Sequence, residues 1–237
     1  MTIPPYWIIL PLLLFGFNQF EIKNDQRMKE KKLRHIGVLI FDGFLANEMT
    51  APFDVFTKKD SSGSQLFEVS LIAKQIDWVS SEEGIRVLPD YSISNCPPLD
   101  VLIVPSSFQP EAQIKDQELI RFIREQNEQT EYTASHCAGA FLLGESGVAD
   151  GSRLVTYCGG SESLQKAYPK VLVQNDTLYS VVEDGKFISS NGNLVSYLAS
   201  LDLLEKMAGK FQRQQVEEEL LIHKLIEHEY SELHHEK

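Results

Sequence analysis

The chain has 237 residues, 43% of them hydrophobic, enough for one large globular domain with appendages at both ends. A net charge of −12 argues against a nucleic-acid surface, which needs clustered Lys and Arg to meet phosphate. Three cysteines without a Cys-x-x-Cys spacing argue against a disulfide framework and against zinc or dithiol-exchange motifs, and Cys96 and Cys158 are not expected to pair.

The amino-terminal stretch Tyr6 to Phe17 is apolar enough for a signal-peptide core. It falls short of the ~20 residues that span a bilayer, and it contains Pro11. Its basic residues (Lys23, Arg27, Lys29, Lys31, Lys32 and Arg34) follow it rather than precede it, which would leave the body of an anchored chain on the cytoplasmic side. Residues 6–17 are therefore expected to export or anchor the chain. The alternative is a cytoplasmic protein starting at Met28, which is followed by Lys-Glu-Lys-Lys-Leu-Arg. Residues 1–34 form the first segment of the chain in either case.

His35 to Phe41 is a continuous apolar run and predicts a central parallel strand buried on both faces. Asp42-Gly43 predicts a turn. Asn47 predicts a cap for a helix from Glu48 to Thr57, bent at Pro52. Phe67 to Lys74 predicts the next strand, and short β pieces at 78–80 and 84–90 predict an excursion from the main sheet. Asp100 to Val104 predicts a strand ending in Pro105-Ser106-Ser107. Pro110 to Gln129 predicts one helix burying Ile114, Leu119, Ile120 and Ile123.

Tyr132 to His136 predicts a short buried strand, and Ala138 to Glu145 a helix stopped near Gly147. Cys137 sits at the join, beside the small residues Ala138 and Gly139 that such a turn requires. The helix N-terminus would then face the sulfur and is expected to lower the thiol pKa. Further on, Val148 to Thr156 predicts a turn into a strand, Ser161 to Tyr168 a helix, and Val171 to Gln174 a strand. Leu178 to Ile188 predicts a hairpin turning at Asp184-Gly185, followed by a polar loop at 189–193 and a helix from Leu194 to Met207. Strands alternating with helices predict a three-layer α/β/α sandwich with a mostly parallel, flavodoxin-like sheet.

The tail, residues 210–237, reads as an acidic helix with an apolar stripe of Val216, Leu220, Leu221, Leu225 and Ile226. Its histidines (His223, His228, His234 and His235) lack the i, i+4 spacing that places two ligands on one helix face, so no metal is expected.

The run Ser135-His-Cys-Ala-Gly-Ala-Phe-Leu-Leu-Gly-Glu-Ser-Gly-Val-Ala-Asp-Gly151 resembles the nucleophile elbow of the ThiJ/PfpI superfamily, the class I glutamine-amidotransferase-like fold. Within it, the sequence is most similar to the branch of isonitrile hydratases and amino-terminal domains of AraC-type regulators. Phe41-Asp-Gly-Phe-Leu-Ala-Asn-Glu-Met-Thr-Ala-Pro-Phe-Asp-Val-Phe56 resembles that branch's first strand and helix, and Pro105-Ser-Ser107 stands where the branch has Pro-Gly-Gly. The resemblance spans residues 35–209.

It implies that Cys137 is the nucleophile and Glu48 the carboxylic acid beside it, kept protonated by burial and by the sulfur. It also implies an oxyanion site of the Ala138 and Ser107 backbone N–H groups. The departures concern the base. The residue after the cysteine is Ala138, and His136 precedes it and is expected to point elsewhere. Thr156-Tyr157-Cys158 stands where the branch often has Thr-His-Trp, and Tyr157 is a poor base at neutral pH. His136, Ser106, Tyr157 and Asn191 are the remaining pocket candidates, with Asn193 beside them.

Three functions stay open: an enzyme attacking a small electrophile (an isonitrile, carbonyl or amide), a redox or small-molecule sensor oxidised at Cys137, and a binding protein without turnover. The expected partners are a small-molecule substrate or oxidant and a second copy in a homodimer, with no nucleic acid and no cofactor. A membrane enters only through the amino-terminal segment.

Overall fold

The computed structural model describes residues 33–224. The apolar stretch 6–17, Met28, and the tail from Leu225 with His228, His234 and His235 lie outside the described residues. Among the described residues, no helix is long and apolar enough to cross a membrane.

The chain opens with β1 (Arg34–Leu39), α1 (Ala46–Phe56) and β2 (Phe67–Ala73). The short strands β3 (Val79–Ser80) and β4 (Arg86–Val87) pair with each other outside the main sheet, as the excursion predicted. β5 (Tyr91–Ser92) returns to its edge and β6 (Val101–Val104) to its middle. There follow α2 (Glu111–Lys115), α3 (Gln117–Gln129), β7 (Tyr132–His136) and α4 (Gly139–Ser146). A second small pair, β8 (Arg153–Leu154) with β9 (Leu172–Val173), brackets α5 (Ser161–Ala167). The hairpin β10 (Val181–Asp184) and β11 (Phe187–Ser190) leads into α6 (Val195–Ala208) and α7 (Lys210–Glu219).

The main sheet has seven strands in the order β10-β11-β7-β6-β1-β2-β5. All its pairings are parallel except that of β10 with β11. β1 and β6 are buried almost throughout, which is why their sequences show unbroken apolar runs rather than alternation. From β1 the chain moves one way along the sheet to β2, and from β6 the opposite way to β7. Right-handed crossovers therefore put α1 and α3 on opposite faces and open a crevice at the carboxyl ends of β1 and β6. α6 packs on α1 and α7 on α6, while α4 packs on α3. These are the three expected layers.

Two local expectations change. α1 starts at Ala46, with Leu45 in the cap position and no side-chain cap, so Asn47 is not its cap. The free Ala46 N–H is met instead by the carboxylate of Glu83, 3.1 Å away on the excursion. The helix expected from Pro110 to Gln129 is broken at Asp116, whose backbone is extended. Its carboxylate accepts the N–H groups of Glu118 and Leu119 and restarts the helix as an N-cap, a device worth about 1 kcal/mol. In the tail, α7 buries Gln212 and Val216, while Leu221 is exposed.

Candidate functional site

Cys137 lies where β7 ends and α4 begins, with φ of 51°. A left-handed backbone is costly for a side chain with a Cβ, so surrounding bonds must impose it. The Cys137 N–H donates to the Ser190 carbonyl at 2.9 Å, and the Cys137 carbonyl accepts the buried Thr156 hydroxyl at 2.9 Å. Gly139 lets α4 close against β6: a Cβ there would lie 2.3 Å from the Val104 carbonyl oxygen. The small residues beside Cys137 answer a steric demand of the neighbouring strand.

Glu48 projects from the first turn of α1 and has no exposed surface. Its Oε2 accepts the Ser106 N–H at 2.7 Å, and its Oε1 accepts the Asn193 N–H at 3.1 Å. Asn47 reinforces the second contact by donating to Asn193 Oδ1 at 3.2 Å. Gly192 lies against both the acid and the cysteine. A Cβ on it would sit 2.3 Å from Glu48 Oε1 and 2.3 Å from Cys137 Cβ. The carboxylate and the thiol-bearing carbon are thus neighbours across one backbone segment.

A cavity of about 800 Å³ is lined by Cys137, Ala138 and Ser107, with Glu48 reaching it only through its neighbours Gly192 and Asn193. Phe108, Phe141 and Tyr157 supply apolar wall, the rings of Phe141 and Tyr157 stacking at 6.1 Å. Asn191, Gly192 and Asn193 supply polar wall. This is space for a small molecule, set at the carboxyl edge of the sheet.

A model of the DJ-1/PfpI family matches residues 34–206. The chain belongs to the DJ-1/PfpI family. Isonitrile hydratase of Pseudomonas putida is 28% identical over 174 residues, covering 73% of this chain and 72% of that protein. The HTH-type transcriptional regulator GbdR of Pseudomonas aeruginosa is 25% identical over 179 residues. That match covers 74% of this chain but only 46% of GbdR, so the chain spans under half of the regulator's length. The crystal structure of Drosophila melanogaster DJ-1beta superposes with a TM-score of 0.68 at 25% identity, covering 80% of this chain and 98% of the other. The superfamily and branch indicated by the elbow motif are therefore those of the relatives found.

In this DJ-1/PfpI domain, Cys137, Ala138, Ser107, Tyr157 and Asn191 come together at one cavity. Ser106 lies beneath it, fully buried, with its N–H on Glu48. His136 does not line the cavity. It is 1% exposed, and its Nδ1 pairs with the Ser190 hydroxyl at 2.8 Å. Burial pushes its pKa down to about 3, so the ring is neutral. Of the four tail histidines only His223 is described, and no group of three or more candidate metal ligands occurs among the described residues.

The thiol itself corrects an expectation. Burial first, and the charge of Glu48 second, push the Cys137 pKa up to about 11, against the opposing pull of the Ser106 hydroxyl and the Ala138 N–H. The helix terminus is present, but at a site 8% exposed desolvation outweighs it. Glu48 is also raised, by desolvation against the two backbone N–H bonds. The buried Ser106 hydroxyl makes no hydrogen bond of normal geometry, yet it lies close enough to oppose the rise of both groups.

Three participants escaped the sequence reading. Thr156 was seen only as part of a substituted motif, although a hydroxyl just after a strand is a common brace for a strained turn. Gly192 was one glycine in a polar loop. The sequence marks Cys158 only as not expected to pair with Cys96 and as the end of a substituted motif, yet it lines the same cavity as Cys137.

Proposed function

We propose that this DJ-1/PfpI protein acts on a small electrophilic molecule by covalent catalysis at Cys137, with Glu48 moving the proton. The observation that carries the reading is the shared contact of the Glu48 carboxylate and Cys137 Cβ with Gly192, beside a cavity open to a small molecule. With the thiol raised, free thiolate is scarce at neutral pH. A carboxylate that is also raised is a better proton acceptor than an ordinary one, which is what taking up the thiol proton during attack calls for.

In this mechanism the sulfur bonds to the electrophilic carbon as its proton passes to Glu48. The charge that develops on the substrate heteroatom is met by the N–H groups of Ala138 and Ser107. Glu48 then returns the proton to that heteroatom or, for an isonitrile, to the attacked carbon, which carries the electron pair there, and water displaces the thiol by cleaving the carbon–sulfur bond. The net result is addition of water, the reaction class named for the Pseudomonas putida relative. Among the described residues no histidine lines the cavity: His136 is buried against the Ser190 hydroxyl, and Tyr157 stands where the branch often has a histidine. A homodimer belongs to the same reading, and sedimentation checks it.

The test is turnover of a panel of isonitriles, glyoxals and amides, with intact-mass detection of an adduct on Cys137. Turnover by the native chain and its loss in Cys137→Ser support the reading. Absence of both turnover and adduct across the panel overturns it. The second reading, a thiol-based sensor without turnover, is favoured by the second cysteine in the same cavity.

A further inference from the structure

Cys158 is exposed and lines the same cavity as Cys137. Both cysteines are free thiols. The segment carrying Cys158 is tied to the elbow from two sides. Two residues before Cys158, the Thr156 hydroxyl donates to the Cys137 carbonyl. On the other side, Asn191 Nδ2 donates to the Thr156 carbonyl at 2.7 Å, and both it and Cys158 Sγ approach the Asp176 carbonyl, at 3.5 Å and 3.8 Å.

Residues 155–160 belong to no helix or strand, and Gly159 follows Cys158 with φ of +87°. A disulfide needs Cα atoms about 5.5 Å apart, so the carrier of one sulfur must be able to adjust. The Cys158 side chain is held by a single long contact of its Sγ with the Asp176 carbonyl, so its rotamer can change, whereas Cys137 is fixed by its own N–H and carbonyl.

We propose that Cys158 is the resolving thiol for Cys137, making this cavity a reversible dithiol site for peroxides. It rests on the reading of Cys137 as the reactive thiol. Cys137 sulfur attacks the peroxide O–O bond, giving a sulfenic acid and releasing water or an alcohol. The Cys158 thiol then attacks the sulfenic sulfur, the S–S bond forms, and hydroxide leaves and takes up the thiol proton as water. The two thiols lose two electrons in all, and the peroxide gains them. A small dithiol reductant reverses the bond. Resolution also protects Cys137 from irreversible sulfinic and sulfonic states.

The experiment treats the full chain with an excess of hydrogen peroxide, blocks free thiols, and maps tryptic peptides by mass. Arg153 separates the two cysteines, so a bond between them joins peptide 125–153 to peptide 154–166. The expected result is that joined pair in the native chain, lost on reduction with dithiothreitol. In Cys158→Ser, sulfinic Cys137 is expected to rise roughly tenfold. Because Cys158 is exposed, that exchange leaves the core intact, and the native chain's own peptide map is decisive without it. Sulfinic Cys137 in the native chain without the joined peptides overturns this inference alone. A Cys137 that neither oxidises nor alkylates overturns both it and the proposed function. Joining of Cys137 chiefly to Cys96 or to a second chain overturns the assignment of Cys158.

Discussion

Gly192 leaves no room for a side chain against Cys137: a Cβ there would lie 2.3 Å from Cys137 Cβ and 3.1 Å from its Cα. Its φ of +85° is also one that side chains resist. Gly192→Ala is therefore expected to destabilise the fold by roughly 2–4 kcal/mol, combining backbone strain with overpacking. The displaced loop carries the Asn193 N–H that serves Glu48, so thiol alkylation kinetics should change with it. Urea unfolding and iodoacetamide labelling check the two effects, and a fully native-like alanine variant would contradict the packing described.

Because the charge of Glu48 raises the Cys137 thiol, removing that charge should lower it. In Glu48→Gln, the alkylation-rate profile against pH should shift to a midpoint below the native value of about 11. Electrophile turnover should nevertheless fall by about 10²–10⁴, since the proton carrier is lost. A more ionised but less competent cysteine is the signature. A higher thiol pKa in the variant, as a hydrogen-bond-donating acid would produce, would refute the electrostatic account.

Glu48 and His136 bend the stability profile in opposite directions. The folded pKa of Glu48 lies above its unfolded 4.5, so its contribution is fully present below pH 4.5 and is lost as pH rises through the raised value. The folded pKa of His136 is about 3 against 6.5 unfolded, so its contribution is fully present above pH 6.5 and is lost as pH falls toward 3. Each group acts with a slope of up to about 1.4 kcal/mol per pH unit. Denaturant titrations from pH 3 to 8 should show His136→Gln losing less stability on acidification than the native chain. An unchanged acid limb would mean that His136 is protonated in the folded state.

Thr156→Val keeps the volume of the side chain but removes the hydroxyl that holds the Cys137 carbonyl. The unsatisfied carbonyl and relaxed elbow should cost about 1–3 kcal/mol. They should also slow thiol labelling at fixed pH. Thermal melts together with labelling rates distinguish this from a purely structural loss, which would leave the labelling of the folded fraction unchanged.

The sheet was legible because burial on both faces writes itself into a strand as an unbroken apolar run, as in β1 and β6. The elbow was legible because its glycine and alanines answer close backbone contacts that few other residues permit. The unpredicted helix restart at Asp116 and the missing cap at Asn47 have one shared reason. Either residue type can cap a helix, and which one does so depends on where the chain turns, which composition alone does not encode. The sign of the thiol shift was missed because a helix terminus is visible in sequence, whereas the depth at which a sulfur sits is a property of packing. Cys158 lines Cys137's cavity because the loop after β8, tied through Thr156 to the Cys137 carbonyl, carries it there.

The complete enclosure of Glu48 has a consequence for the fate of its proton. A carboxylate with no surface cannot exchange directly with bulk water; its outlets run through the sulfur or through whatever occupies the cavity. A hydrogen taken from the Cys137 thiol should therefore reappear on the product more often than random mixing with solvent would allow. In a mixture of ordinary and heavy water, the isotopic content of the product would then follow that of the thiol hydron rather than that of the bulk solvent. The acid would behave as a sealed compartment holding a single hydron.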